Sequence, residues 1–395
     1  MPEKPGILLV CHSYPPVLGG SEIEAQRVAT ALIRKGYRVR VLCAGGPPMP
    51  EVRHWTDPAG IPVSILTRRS KGTLRDFVFA LQVGWTMIVR RKEFDIVYFL
   101  MQGLHLAVGL PVASFLGKRA VTKISGDGIF TRMSQSRMGR FELNWLRNFR
   151  IPVMVLNEQM IREAEACGFS PGQLTWMPNP VEIDVFCPAS PEARAAWRMK
   201  HDISLNAGVA VYTGRLSTEK GIRELMRGVA EAAKRNPTST LVLVGDGPIR
   251  AELEGLAREL DPSGTRFRFV GRVPLAEIPH WLGAADAFAL TSPNEGFSCS
   301  LVEAMAIGIP SVVSNIEANL QLVEDGTHGI TVPWGDPDAI GAALTKLFDD
   351  SALRQTLGAA ARRRVVDNYS TEKVVARYEA LFHSTTLAAQ RKGRP

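Results

Sequence analysis

The sequence lacks most of the short signatures that announce a function. Its five cysteines, at 11, 43, 167, 187 and 299, form no C-x-x-C pair and leave an odd count. That excludes a disulfide framework and the common zinc spacings, and predicts a reducing, cytosolic compartment. Neither G-x-G-x-x-G nor G-x-x-x-x-G-K-[ST] occurs, so a dinucleotide fingerprint and a P-loop for ATP are both unsupported. Long apolar runs are missing too. The longest, 104 to 117, falls short of the roughly 20 residues a spanning helix needs and contains Pro111, so a buried helix is expected there. The opening "MPEKPGILLVC" is a strand-like run after a short polar lead, and no secretory leader is expected from it.

What is present is an ordinary globular composition, 45% hydrophobic and 22% charged over 395 residues, which predicts two domains. The formal charge of +8 is lopsided: residues 1 to 187 hold 23 Lys+Arg against 15 Asp+Glu, and the rest of the chain is balanced. A basic half suits an anionic partner such as a phosphorylated lipid, a membrane surface or a nucleic acid, or is a merely soluble surface.

Strand-like runs recur in the first half at 7–11, 37–43, 95–100, 120–124 and 153–156, with helical patterns between several of them. The second half repeats the scheme at 209–213, 241–245, 267–271, 287–291, 310–314 and 329–333. Such alternation predicts an α/β fold of two Rossmann-like, doubly wound parallel-sheet domains, joined near 177–192, where prolines interrupt any helical period. Ligands of open α/β sheets bind outside the carboxyl ends of the strands, so the two domains are expected to face a cleft lined by those loops.

After the first strand, Gly19 and Gly20 precede a helix start, which suits an anion at unpaired N–H groups or a tight turn without a ligand. After 209–213, Arg215 lies in the loop and Lys220 in the expected first turn of the next helix, where a phosphate would offset the unfavourable dipole; a solvated charge pair is the alternative. Gly245 and Gly247 are expected to open room for a flat or anionic group. In "TSPNEGFSCSLVEA" a helix is expected from Ser298, with N–H groups of Phe297, Ser298 and Cys299 toward a diphosphate. Glu295 and Glu303 would then accept sugar hydroxyls, or Glu303 is a capping or solvated helix residue. Asp336-Pro337-Asp338 is a D-x-D string better read as a helix start than as a metal site.

Taken in order, "GGSE" (19–22), "PNPVEIDVF" (178–186), "GRLSTEKGI" (214–222), "LVLVGDGP" (241–248), "VGRVP" (270–274), "NEGFSCSLVEAMAIGIPSVVS" (294–314) and "DGTHGITVPWGDPDAI" (325–340) resemble the family-4 retaining glycosyltransferases of the GT-B architecture, over nearly the whole chain. The resemblance implies an acceptor-binding domain over 1–187, a nucleotide-sugar domain over 188–370, and a helix with a basic tail over 371–395 that crosses back to the first domain. By position it implies that Arg215 and Lys220 bind the diphosphate, Gly20 offers backbone to it, Glu295 contacts the donor sugar and Glu303 the ribose. It further implies a UDP- or GDP-linked donor, a hydroxyl acceptor in polysaccharide or glycolipid synthesis, and no cofactor or metal.

Two departures from the family pattern stand out. Where members often carry a histidine, this chain has Ser125, with Asp127 two residues on as a substitute partner or a turn residue. Where glycine and proline are commoner, it reads "FSCSL". On the acceptor side, Arg132 and Arg137 open an Arg- and aromatic-rich stretch, 130–150, read as one helix that meets an anionic lipid surface or packs its aromatics into the core. The segment 77–89 before Arg90, Arg91 and Lys92 is expected to be a buried helix. Nucleotide-sugar epimerisation and a non-catalytic anion- or nucleic-acid-binding protein are the competing readings; the ordered motifs favour the transferase, with no nucleic acid and a peripheral contact with the inner membrane face.

Overall fold

The computed structural model describes residues 4–17, 19–45, 49, 52–67, 72–126 and 128–392. It divides into two compact units, one of residues up to Pro180 and from Thr371 onward, the other Val181–Ser370.

The first unit holds an eight-stranded sheet in the order β3-β4-β2-β1-β5-β6-β7-β8. The strands are β1 (Gly6–Cys11), β2 (Arg38–Cys43), β3 (His54–Thr56), β4 (Pro62–Ile65), β5 (Ile96–Leu100), β6 (Arg119–Lys123), β7 (Val153–Val155) and β8 (Leu174–Trp176). All neighbours pair in parallel except β3 and β4. The central strands are continuous apolar runs because helices cover both faces. Ile7, Leu9 and Cys11 share a core with Val28 and Leu32 of helix Gly20–Arg34 and with Val374 and Tyr378 of helix Thr371–Lys392. Phe99 alternates with the β5 residues of that core and so points to the other face, where a Cβ on Gly109 of helix Leu104–Phe115 would lie 2.5 Å from its ring. Pro111 within that helix has no N–H for the carbonyl of Ala107. The indole N–H of Trp145 donates to that carbonyl instead, at 3.1 Å.

Four expectations change here. The strands β3, β4 and β8 escaped the sequence reading, being short and mostly not buried; buried Asp57 closes the β3–β4 turn by accepting from the N–H groups of Ala59 and Ile61 at 2.9 and 2.8 Å. Residues 130–150 are two helices, Ile129–Gln135 and Arg137–Phe149, because Ser136 is extended and its hydroxyl caps Gly139 N. Gly139 permits the corner, since a Cβ there would lie 2.2 Å from Met133 O. Helix Thr73–Val89 buries Phe79, Ala80, Val83, Gly84 and Met87 but leaves a second apolar face exposed. Residues 181–187 fall in the second unit: Val181 N donates to Tyr369 O at 2.9 Å, and Arg362 Nη1 to Phe186 O at 3.1 Å.

The second unit is a six-stranded, wholly parallel sheet in the order β11-β10-β9-β12-β13-β14. Its strands are β9 (Val209–Thr213), β10 (Thr240–Val244), β11 (Phe267–Gly271), β12 (Ala287–Leu290), β13 (Ser311–Ser314) and β14 (Gly329–Val332), all six of them expected. Helix Ile222–Ala232 buries Ile222, Leu225, Met226 and Val229 and crosses helix Pro337–Asp349 at two glycines. A Cβ on Gly228 would lie 2.4 Å from Ile340 Cγ2, and one on Gly341 2.9 Å from Gly228 O. Asp336 Oδ1 accepts from Ala339 N at 3.0 Å and Pro337 opens the helix, so the D-x-D string forms a helix cap. At the amino ends of the strands, buried Asp286 accepts from Arg198 Nη2 and from Val209 N at 2.8 and 2.9 Å. Each sheet has one switch point, β1 between β2 and β5 in the first and β9 between β10 and β12 in the second.

Candidate active site

At the second switch point the loops after β9 and β12 come together. Gly221 adopts the left-handed conformation, φ 63°, and a Cβ on it would lie 2.0 Å from Thr291 O. Thr291 Oγ1 in turn donates to Gly221 O at 2.8 Å. This clamp fixes Lys220, which ends a short 3-10 turn, Thr218–Lys220, and is not in the following helix as expected. The residue that interrupts the two is glycine because only it takes that φ without strain. Lys220 Nζ donates to Glu295 Oε1 at 2.8 Å, and Ser292 Oγ donates to the same oxygen at 2.9 Å. Glu295 is buried, while the lysine side chain keeps about a quarter of its surface. Its second oxygen, Oε2, makes no hydrogen bond among the described residues.

Arg215 is exposed on the same loop, its carbonyl accepting from Tyr212 OH at 2.9 Å. Glu219, beside it, is held below the usual carboxylate range by the Ser217 hydroxyl, with Lys220 and Arg215 adding to the effect. Burial, followed by the charges of Glu295 and Glu219, pushes the Tyr212 hydroxyl well up, so it stays a donor.

Helix Cys299–Ile307 starts where expected, with Ser298 as its cap; the serine hydroxyl accepts from Leu301 N at 3.3 Å. Glu303 sits in the helix, half-buried, and Phe297 packs 6.0 Å from Tyr369. The reasoning for Gly245 and Gly247 needs correction. Their missing side chains leave room for protein backbone: a Cβ would lie 1.8 Å from Gly214 O and 2.1 Å from Leu216 O respectively. Both glycines therefore seat the β9 loop.

In the first unit, Gly19 is extended and precedes helix Gly20–Arg34; Glu22 folds back over it, hydrogen-bonded to Ser21 at 2.9 Å. Ser125 is half-buried past the end of β6. Asp127 lies outside the described residues. Arg132 and Arg137 are both exposed, and Arg132 Nη1 reaches within 3.3 Å of where a Cβ on Gly128 would stand.

Two clusters escaped the sequence reading. Lys123, at the end of β6, is fully buried; its ammonium bonds to Glu24 of helix Gly20–Arg34 and, at 2.8 Å, to Asn179 Oδ1. Tyr378 OH donates to Glu24 at 3.4 Å and meets Tyr98 OH at 3.1 Å. A lone lysine in the apolar run "AVTKI" was the available signal. The second cluster is His12 and His105, whose rings meet edge-on at 4.7 Å. Gly103, φ 146°, lets them approach, since a Cβ there would be 2.9 Å from His12 Nε2. Burial, then the neighbouring His12, takes His105 down to about 3.

Comparison with known proteins agrees with this arrangement. The family model "Glycosyltransferase Family 4" matches residues 18–185, and "Glycosyl transferases group 1" matches 193–364. A GDP-mannose-dependent monoacylated α-(1-6)-phosphatidylinositol monomannoside mannosyltransferase of Corynebacterium glutamicum is 26% identical over 75% of this chain and 78% of its own. A GDP-mannose-dependent α-(1-6)-phosphatidylinositol monomannoside mannosyltransferase of Mycolicibacterium smegmatis is 30% identical over 60% of this chain and 64% of its own. Among solved structures, Anabaena HepE in complex with UDP and glucose superposes with a TM-score of 0.80 at 22% identity, over 96% of this chain and 100% of that one. Sucrose-phosphate synthase of Thermosynechococcus elongatus gives 0.80 at 21% identity, over 98% and 100%. These likenesses carry the fold.

Proposed function

We propose that this chain, which belongs to the family-4 glycosyltransferases of the GT-B fold, moves a sugar from a UDP- or GDP-linked donor to a hydroxyl acceptor with retention of configuration, in polysaccharide or glycolipid synthesis at the cytosolic face of a membrane. The observation that supports it most is the Lys220–Glu295 pair at the switch point of the second sheet. Relatives named as GDP-mannose-dependent mannosyltransferases and the UDP complex of HepE support a nucleotide-sugar donor.

In this reading Lys220 and Arg215 meet the diphosphate, joined by amides of Phe297, Ser298 and Cys299 at a helix start. Cleavage of the bond between the anomeric carbon and the phosphate oxygen builds positive charge on the sugar and negative charge on the leaving group. Fixed cations therefore favour the transition state over the ground state. The acceptor oxygen bonds to the same face of the anomeric carbon, and its proton passes to the leaving phosphate, so no protein nucleophile and no metal is needed. Glu295 anchors Lys220 through Oε1 and keeps Oε2 for a sugar hydroxyl; Glu303 takes the ribose. Gly19, Gly20, Ser125, Asp127, Arg132 and Arg137 remain the candidates on the first unit, the two glycines for an anion and the others for the acceptor.

The test begins with thermal stabilisation across UDP- and GDP-sugars, followed by product analysis with and without acceptors. Lys220→Ala and Glu295→Ala are each expected to lower donor turnover by about 10²-fold or more with the unfolding midpoint little changed. Full turnover in both folded variants removes the assigned site. An epimerised sugar formed from donor alone moves the chain to the competing reaction.

A further inference from the structure

Helix Thr73–Val89 carries two apolar faces where a surface helix needs one. The buried face is accounted for by its packing. Opposite it, Leu74 (57% exposed), Phe77 (53%), Leu81 (50%) and Trp85 (68%) recur every three or four residues, and Ile88 and Val89 continue the stripe. About four helical turns of large apolar side chains on one line form a contiguous patch of the kind that soluble monomers rarely leave open. Trp85 and Val89 also line a cleft with Arg90 of the same helix end and with Arg53 and His54.

We infer that this helix docks the protein on an anionic lipid surface, lying in the plane of the headgroups with the Leu74–Val89 stripe sunk into the acyl boundary. Charge identifies the occupant. Residues 68–95 contain seven Lys+Arg against three acids, Asp76, Glu93 and Asp95; Arg75 and Arg90 pair with Asp76 and Glu93, and Arg91 and Lys92 are exposed just past the helix. An apolar stripe on one face with a net basic flank suits an anionic membrane surface, where each basic residue adds attraction and the indole of Trp85 suits the interface. A second copy of this chain fits poorly. A two-fold contact along the stripe would bring together two segments that each carry seven basic against three acidic residues, and like-charge juxtaposition is costly. Among the described residues no helix is long and apolar enough to cross a membrane, so the helix would lie on the bilayer. On the neighbouring helix Leu104–Phe115, packed against the buried face at Gly84 and Val108, Phe115 is also 89% exposed.

The test uses the full chain and sedimentation with vesicles of phosphatidylcholine alone or mixed with phosphatidylglycerol. The expected result is binding to the mixed vesicles at least about tenfold tighter than to phosphatidylcholine, weakened by salt. Leu81→Ser/Trp85→Ser, both at exposed positions, is expected to lose about tenfold or more of that binding with an unchanged circular dichroism spectrum. Lys92→Glu is expected to weaken binding less and to flatten its salt dependence. Equal binding to both vesicle types, or unimpaired binding by the double variant, overturns the inference. So does light scattering that shows a dimer in the parent chain and a monomer in the double variant, because a second copy would then cover the stripe. None of these readouts depends on transfer activity.

Discussion

Among the described residues each unit has one ion pair with both partners buried, and the two pairs are built differently. In the second unit Arg198 spreads its guanidinium over Asp286 and the carbonyls of Ala284 and Ala207, while Asp286 also accepts from Val209 N. Burial alone would raise Asp286, but Arg194 and Arg198 outweigh it and hold the carboxyl below its usual range. The brace sits at the amino ends of β9 and β12, away from Lys220 and Glu295. In the first unit Lys123 and Glu24 meet at the carboxyl end of β6, next to Ser125, and the pair joins helix Gly20–Arg34, Asn179 and, through Tyr378, the final helix. One pair stiffens the sheet behind a site whose charges stay reachable. The other keeps its charge inside the end of the sheet from which the candidate acceptor loops emerge. The Asp286 pair, shared with Arg194, ties into strand and loop backbone and is part of the sheet, whereas the Lys123 pair is met by side chains and is a junction between segments.

Removing each pair tests that contrast with the largest effect. Lys123→Met should cost about 3 to 5 kcal/mol by stranding Glu24. Lys123→Met/Glu24→Leu should regain most of it. Arg198→Leu should cost less, about 1 to 3 kcal/mol, because Arg194 Nη2 still donates to Asp286 at 2.6 Å, yet Arg198→Leu/Asp286→Leu should stay at least about 2 kcal/mol down, because Val209 N, two carbonyls and Arg194 lose their partners. Native-state hydrogen exchange at β6 and β9 amides reads each unit separately. Equal recovery in both double variants would erase the distinction.

Acid separates the units at a smaller scale. His105 stays neutral down to about 3 when folded, against an ordinary 6.5. Between those values the unfolded chain binds a proton that the folded one refuses. Stability from this group is therefore fully present above 6.5 and falls by about 1.4 kcal/mol per pH unit below it. His105→Phe should flatten that slope for β1 and β5 amides and leave β9 unchanged, measured by exchange between about pH 6.5 and 4.5. The smallest expected effect is that of Trp145→Phe. It leaves the Ala107 carbonyl without a donor and should cost about 1 to 3 kcal/mol, confined to amides of helix Leu104–Phe115.

Much of the second unit was legible because each of its strands is a short apolar run closed by glycine, proline or serine, and both faces of the sheet are covered. The first unit hid more. "HWT" and "PVSI" are too short to show a period, the first also mostly exposed, and Ser136 breaks a stretch whose polar residues read as one helix. The exposed face of Thr73–Val89 is not legible, because apolar residues on both sides of a helix look buried in sequence alone. Lys220 and Glu295 were singled out by loop position and by family resemblance, but their 75-residue separation hides the contact. The strand order that puts β12 beside β9 creates it. Lys123 and Glu24 had no comparable signal, since a buried pair is defined by its surroundings.

The crossing of helices Ile222–Ala232 and Pro337–Asp349 at Gly228 and Gly341 leaves no slack behind the β9 loop. Even a methyl group added at Gly228 would have to shove the whole rod forward, and Lys220 stands two residues ahead of its tip. The back of this lobe thus works as a fixed anvil: substitutions far from any bound nucleotide can misplace the ammonium, and a redesign of donor preference has to leave that seam untouched.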